Sequence, residues 1–214
     1  MDAVIFAGGK GTRMDDALPK VLVVTKGKPI LSYPLDYLLP KVEKIVLAIG
    51  HRADEIKAFV TEKYPGKNIV FSIEDEPLGT GGALKQALQQ TTSEKVLVLN
   101  ADDVTDIDPE QVQQNGESTI CVTHPRLPFG LVSEKDGYAV FEEKPILDNW
   151  VSCGWYVFNR EEILPLLPNN GSIEYEVFPK MKLRIYKHEG FWAPLNSKKE
   201  VKDFEQRTLP TCHQ

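Results

Sequence analysis

The chain has 214 residues, 42% of them hydrophobic and 26% charged, with a formal net charge of −6. That composition fits one soluble domain with a sizeable core, and the acidic balance excludes a broad electrostatic grip on nucleic acid. No apolar run approaches the ~20 residues that cross a bilayer, no basic segment precedes an apolar one at the N-terminus, and Cys121, Cys153 and Cys212 lack metal-ligand spacing, so a cytoplasmic protein with reduced thiols is expected.

The predicted elements run as follows. Ala3–Ala7 reads as a buried strand, being continuously apolar rather than alternating. It feeds Gly8-Gly9-Lys10-Gly11-Thr12-Arg13. Ile30–Leu39 reads as a helix with Pro29 near its first position, where a missing N–H costs nothing. Ile45–Ile49 is a strand, Ala53–Tyr64 a helix stopped by Pro65-Gly66, and Ile69–Ile73 a strand. Gly82–Gln90 is a helix, and Val96–Leu99 a strand ending at Asn100-Ala101-Asp102-Asp103. Strands alternating with helices predict a Rossmann-like layered α/β/α fold with a mainly parallel sheet. Ligands then collect at the carboxyl ends of the strands. Beyond residue 110 the texture changes. Ser118–Thr123, Gly130–Ser133, Tyr138–Phe141 and Ser152–Phe158 read as strands, with a tight turn at Lys135-Asp136-Gly137. Glu161–Leu167 and Lys198–Arg207 read as helices. With no linker or repeat, residues 1–214 read as a single domain, 111–214 extending the sheet of 1–110.

Several segments carry chemistry. The opening loop is not a P-loop, because Lys10 is followed by Gly11 rather than Ser or Thr. Nor is it the dinucleotide fingerprint, because no third glycine follows Gly9-x-Gly11 at the required spacing. Its amides can still cradle phosphate, Arg13 offers a planar donor fork, and Lys20 adds a mobile charge. A plain glycine turn with solvated cations is the competing reading. In Glu76-Pro77-Leu78-Gly79-Thr80-Gly81-Gly82-Ala83 the glycines allow backbone to approach a flat ligand and Thr80 can cap the following helix; a loose helix cap is equally compatible. A carboxylate at Asp102, ending a buried strand opposite a phosphate loop, suits Mg²⁺, which takes one or two carboxylates plus phosphate oxygens; an Asx turn is the alternative. Glu142-Glu143-Lys144-Pro145, alone, is an ordinary solvated strand end. His51, His124 and His188 have no obvious partner and suggest no nucleophile–base pair.

Taken in order, these segments resemble the sugar-1-phosphate nucleotidyltransferases, also called nucleotide-sugar pyrophosphorylases. The resemblance rests on Ala7–Arg13 with Pro19-Lys20, Gly27-Lys28-Pro29-Ile30, Glu76–Ala83, Asn100-Ala101-Asp102, Phe129-Gly130, Glu142–Pro145, Ser152-Cys153-Gly154, Glu174–Pro179 and Gly190-Phe191-Trp192. It implies the nucleotide-diphospho-sugar transferase type of fold. It also implies Mg²⁺-dependent transfer of a nucleotidyl group from an NTP to a sugar-1-phosphate, releasing pyrophosphate. By that resemblance Ala7, Gly8, Gly9, Gly11, Thr12 and Arg13 form the triphosphate cradle. Glu76, Gly79, Thr80, Gly81 and Gly82 form the base-reading segment. Arg13, Lys20, Asp102 and Lys144 serve the reacting phosphates, and Gly130, Glu143, Lys144, Gly154 and Trp192 serve the acceptor. Asp102 is the principal metal ligand. From the length, no β-helix of the kind that larger relatives append is expected, and oligomeric state has no signature here.

One departure matters. Many members carry an aspartate two residues after the late tryptophan as second metal ligand; here that position is Pro194. "GFWAPLNS" instead resembles the glucose-1-phosphate cytidylyltransferase branch, in whose register the acid position is Asn196. Asn196 can coordinate Mg²⁺ through its amide oxygen without a formal charge. The alternatives are that Asp103 or Glu176 supplies the charge, or that the protein binds nucleotide or sugar phosphate without turnover. An acceptor such as phosphocholine, caged by Trp150, Trp155 or Trp192, is a further reading. "EPLGTGGA" resembles guanylyl and heptose-type members and is weighted above the cytidylyl hint, because it is the segment expected to touch the base.

Overall fold

The computed structural model describes residues 1–9, 11, 18–114 and 116–213. The expectations for Thr12 and Arg13 therefore lie outside the described residues. In chain order, β1 (Asp2–Phe6) is followed by the hairpin β2 (Val24–Thr25) and β3 (Lys28–Pro29), then α1 (Ser32–Leu38), β4 (Ile45–Ile49) and α2 (Ala53–Lys63). Next come β5 (Ile69–Ile73), α3 (Gly79–Ala87), β6 (Lys95–Asn100), β7 (Asp103–Thr105), α4 (Pro109–Gln113) and β8 (Thr119–Thr123). The hairpin β9 (Leu131–Lys135) and β10 (Tyr138–Glu142) leads to β11 (Val151–Asn159), α5 (Arg160–Ile163), α6 (Ile173–Glu176), β12 (Arg184–Lys187), β13 (Trp192–Pro194) and α7 (Lys198–Glu205).

A seven-stranded sheet in the order β12-β8-β11-β6-β1-β4-β5 carries the fold. β6, β1, β4 and β5 run parallel, and β11 is antiparallel to both β6 and β8. The mainly parallel mixed sheet is thus as expected. Successive strand residues face opposite layers. Ala3 and Ile5 of β1 pack with Leu35, Leu38, Ile56 and Val60 of α1 and α2. Val4 packs with Leu84 and Ala87 of α3 and with Ile163 and Ile173. Burial on both faces explains why β1, β4 and β6 are continuously apolar. The chain steps from β1 to β4 and β5 on one side, then returns by α3 to β6 on the other side of β1. The order reverses between β1 and β6, the place where such sheets open a crevice at their carboxyl ends.

Two local expectations are corrected. Pro29 does not start a helix: it lies in β3, behind a turn in which Lys26 and Gly27 both have positive φ (46° and 82°), the signature of a type I′ hairpin. The helix begins at Ser32, with Pro34 in its first turn, where a missing N–H is harmless. Thr80 does not cap α3: Leu78 holds the cap position without a side-chain bond. The Thr80 hydroxyl instead donates to Glu174 Oε2 at 2.9 Å and accepts from the Ile173 N–H at 3.0 Å, binding α3 to the start of α6.

The third packed region joins α7 to the crevice. Phe204 and Val201 pack on Tyr33, Val104, Ala193 and Leu195, and Ser197 caps α7 by accepting from the Glu200 N–H. His213 closes this region. It is 4% exposed, pairs through Nε2 with Thr105 O at 2.8 Å, and leaves Nδ1 without a partner beside the rings of Tyr33 and Tyr37. Burial holds its pKa below the ordinary histidine value. The unfolded chain therefore binds the proton more readily, and stability should fall as pH drops below about 6.5. Thermal unfolding between pH 7.5 and 5.5 should show this loss, and His213→Phe should flatten it. Asp103, whose pKa is shifted the opposite way, is common to both proteins. An unchanged slope in the variant would remove His213 as the cause.

Candidate active site

The crevice at the β1–β6 switch is a cleft of about 830 Å³ whose walls include Ala7, Gly8, Gly9, Gly11, Lys20, Glu76, Gly79, Thr80, Asn100, Asp102 and Asn196. Eight of the sequence-derived positions in the nucleotide half and the metal pair thus meet in one place. Gly8 is needed because a Cβ there would lie 2.9 Å from Gly50 N at the end of β4. Gly11, with φ +60°, passes against the Lys20 side chain, where a Cβ would sit 2.7 Å from Lys20 Cβ. Gly11 and the lysine are packed together.

Lys20 opens a short 3₁₀ turn after Pro19. Its Nζ is ion-paired with Asp102 Oδ2 and donates to Asn196 Oδ1 at 3.0 Å. The Lys20 and Asp102 side chains are only 14% and 16% exposed. Two oxygens from segments ninety-four residues apart in sequence therefore converge on one cation. The Leu195 N–H donates to Asp102 O at 2.8 Å, and Pro194 pairs with Asp103 across β13 and β7, which fixes Asn196 beside Asp102. Among the described residues no group of three or more His, Cys, Asp or Glu could hold a metal. An Asp–Asn oxygen pair nonetheless fits Mg²⁺, a hard ion that takes few protein ligands and completes its shell with phosphate and water.

Asp103, a substitute ligand that the sequence left open, has both carboxyl oxygens engaged within the protein. Its Oδ1 accepts from the Trp192 indole N–H at 3.0 Å and its Oδ2 from Asn100 Nδ2 at 3.0 Å. Burial first, and then the neighbouring Asp102 charge, push its pKa up to about 7. Glu176 lies away from the cleft walls and accepts from the Ser172 N–H at 3.2 Å.

The remaining expectations divide. Gly81 and Gly82 are not among the cleft walls. Their bare faces meet loop 168–171: added Cβ atoms would lie 2.8 Å from Pro168 Cγ and 2.4 Å from Asn169 O. The close approach they permit is to chain. Lys144 and Trp192 line a second hollow of about 500 Å³ with Arg126, Lys199, Asp203 and Arg207, and Lys144 is paired with Glu143 at 2.9 Å. Gly130 faces the Phe141 ring and Gly154 faces Asp103. None of Gly130, Glu143, Lys144, Gly154 and Trp192 is among the walls of the Lys20–Asp102 cleft.

Sequence reasoning assigned no site role to cleft residues Gly50, His51, Glu74, Asp75 and Asn100. All follow or end a parallel strand, a positional signal that could have found them. Two of the three histidines have partners: His188 Nε2 lies 2.8 Å from Asp106 Oδ1, and the His124 ring lies tilted against Trp150 with centroids 3.8 Å apart.

The family model described as "Nucleotidyl transferase" matches residues 2–180. Mannose-1-phosphate guanylyltransferase catalytic subunit beta of Drosophila melanogaster is 34% identical over 92% of this chain and 60% of its own length. D-glycero-alpha-D-manno-heptose 1-phosphate guanylyltransferase of Campylobacter jejuni is 36% identical over 67% of this chain and 69% of its own. The chain spans about 60% of the length of the eukaryotic relatives it matches. Among solved structures, HddC from Yersinia pseudotuberculosis complexed with GMP-PN superimposes with a TM-score of 0.79 at 25% identity, covering 96% of this chain and 98% of that one. With the glycine loop, Lys20 and Asp102 gathered at the sheet's switch point and the match running through most of the chain, this protein belongs to the nucleotidyl transferase family.

Proposed function

We propose that the chain transfers a guanylyl group from GTP to a sugar-1-phosphate, with Mg²⁺, releasing pyrophosphate and an NDP-sugar. The observation that carries this reading is the convergence of Asp102, Asn196 and Lys20 beside the glycine loop. The guanine choice is supported by the names of the relatives and by the GMP-PN with which HddC is complexed.

The acceptor is a phosphate monoester that is largely ionised at neutral pH, so its oxygen attacks the α-phosphate without a general base. The protein's work is positioning and neutralising two polyanions. Gly8, Gly9 and Gly11, on the cleft wall, would hold the triphosphate. Lys20, already poised on Asp102, supplies a positive charge to the reacting phosphates. Asp102 and Asn196 would hold Mg²⁺, which neutralises charge on phosphate oxygens when bound. Lys144, on the wall of the second hollow, would meet the acceptor phosphate.

Pyrophosphate release across a panel of four NTPs and several sugar-1-phosphates tests the reading. Turnover with GTP and one sugar phosphate is expected. Binding of nucleotide with no turnover in any combination would favour a sensor, the second reading that Asn196 in place of a carboxylate motivates. Asn196→Asp adds the second charge and should keep or raise Mg²⁺-dependent turnover. A fall of more than about tenfold, ~1.4 kcal/mol in barrier, would argue that Asn196 is not a ligand.

A further inference from the structure

Of the twelve large apolar side chains that stand exposed among the described residues, seven lie within residues 129–146, led by Phe129, Tyr138 and Phe141 at 72%, 78% and 63%. Most of them belong to the hairpin β9–β10, whose strands pair with each other and with no other strand. Every residue of both strands is exposed. A lone two-stranded hairpin is marginal in water, and apolar surface concentrated in this way marks a place that meets a partner. The turn at Asp136 and Gly137, both with positive φ (53° and 82°), is of the two-residue type that fixes register. The two faces of the hairpin are therefore defined, because directly opposed residues share a face. One face carries Leu131, Ser133 and Lys135 opposite Glu142, Val140 and Tyr138. The other carries Val132 and Glu134 opposite Phe141 and Ala139, with the Phe141 ring over Gly130.

We propose that the first face is the contact between two copies of this chain, related by a twofold axis that crosses the strands at the Ser133–Val140 pair. Such an axis lays the tip of each hairpin on the base of the other, and each contact occurs twice. The Lys135 ammonium and the Tyr138 hydroxyl then meet the partner's Glu142, Val140 meets the partner's Val140, and Leu131 covers the stem of the partner's Lys135. Among the described residues Lys135 and Glu142 form no ion pair within their own chain, so both charges are available. The second face fails the same operation: Glu134 would lie on the partner's Val132 and Phe141, a carboxylate buried without a cation. The first face complements itself rather than offering one sign of charge, and this selects a second copy over a foreign partner. It offers on the order of 500 Å² per copy, ~1,000 Å² in all, the lower end for a specific interface. The dimer is therefore a weak one.

Sedimentation velocity between about 1 and about 200 µM tests this, with the monomer–dimer midpoint expected in the micromolar range. Lys135→Glu and Glu142→Lys each set like charges together at both ends of the contact and should weaken association by about tenfold or more. The double exchange restores opposite signs and should recover association to within about threefold of wild type. Glu134→Lys, on the other face, should leave it unchanged. Thermal unfolding checks that each variant is folded. A chain that stays monomeric throughout, a dimer indifferent to the single exchanges, or single losses that the double exchange does not restore would overturn the inference. So would a monomer whose hairpin amides are protected from hydrogen exchange by mannose 1-phosphate, since the hairpin would then cover the acceptor. Association is read without turnover, so failure here leaves the transferase reading intact.

Discussion

Asp102→Ala is expected to lower kcat/KM for nucleotidyl transfer by at least about 10³-fold, ~4 kcal/mol of transition-state stabilisation. The size follows from what meets at this side chain. Asp102 stands just beyond the rigid end of β6, is only 16% exposed, and pairs with Lys20 beside Asn196. Removing the carboxylate takes away the one formal negative charge of the pair suited to Mg²⁺. It also releases Lys20 from its position beside the glycine loop. The two roles are coupled, so Lys20→Met combined with Asp102→Ala should lose far less than the product of the single losses. Single-turnover pyrophosphate release measures the loss. A variant retaining a tenth of wild-type activity would show that the carboxylate is dispensable and would move the cation elsewhere.

Gly154→Ala should be severely damaging for a single methyl, lowering stability by roughly 2–6 kcal/mol. Two penalties add. Gly154 has φ +74°, which for an alanine amounts to about 1–3 kcal/mol of backbone strain. Its Cβ would also strike Asp103 and Asn100, and overpacking of a tight site is worth a further ~1–3 kcal/mol. Neither neighbour can swing away without breaking a buried hydrogen bond. Urea unfolding at neutral pH would measure it, and a loss below about 1 kcal/mol would mean that the network is slack. Gly66, with nothing within 4 Å of its missing Cβ but φ +71°, isolates the strain alone and should lose less.

The sheet was readable because burial on both faces forces unbroken apolar runs. Ile45–Ile49 and Ile69–Ile73 were placed to the residue. What escaped were β2, β3, β7, β12, β13, α4 and α6, each of five residues or fewer, too short to show any periodicity. β13 contains Pro194, which argues against a strand until its edge position beside β7 is known. The site divided the same way. Positions following strand ends carry their location in the sequence, so the glycine loop, Glu76 and Asp102 were legible. The bond from Trp192 to Asp103 was not, because a tryptophan's N–H partner is a fact of tertiary contact. The same limit hid the use of Gly81 and Gly82: spacing tells that backbone approaches something closely, not what.

That last contact has a consequence for transplantation. Residues 79–82 lie against residues 168–174 through the bare glycine faces, the Gly81 N–H to Gly171 O bond at 2.8 Å, and the two bonds of Thr80. The two stretches, nearly a hundred positions apart in the chain, form one interlocking part. Moving "EPLGTGGA" into another scaffold to change its nucleotide preference would fail unless residues 168–174 travelled with it. Libraries that randomise either stretch alone should return almost only the parental glycines.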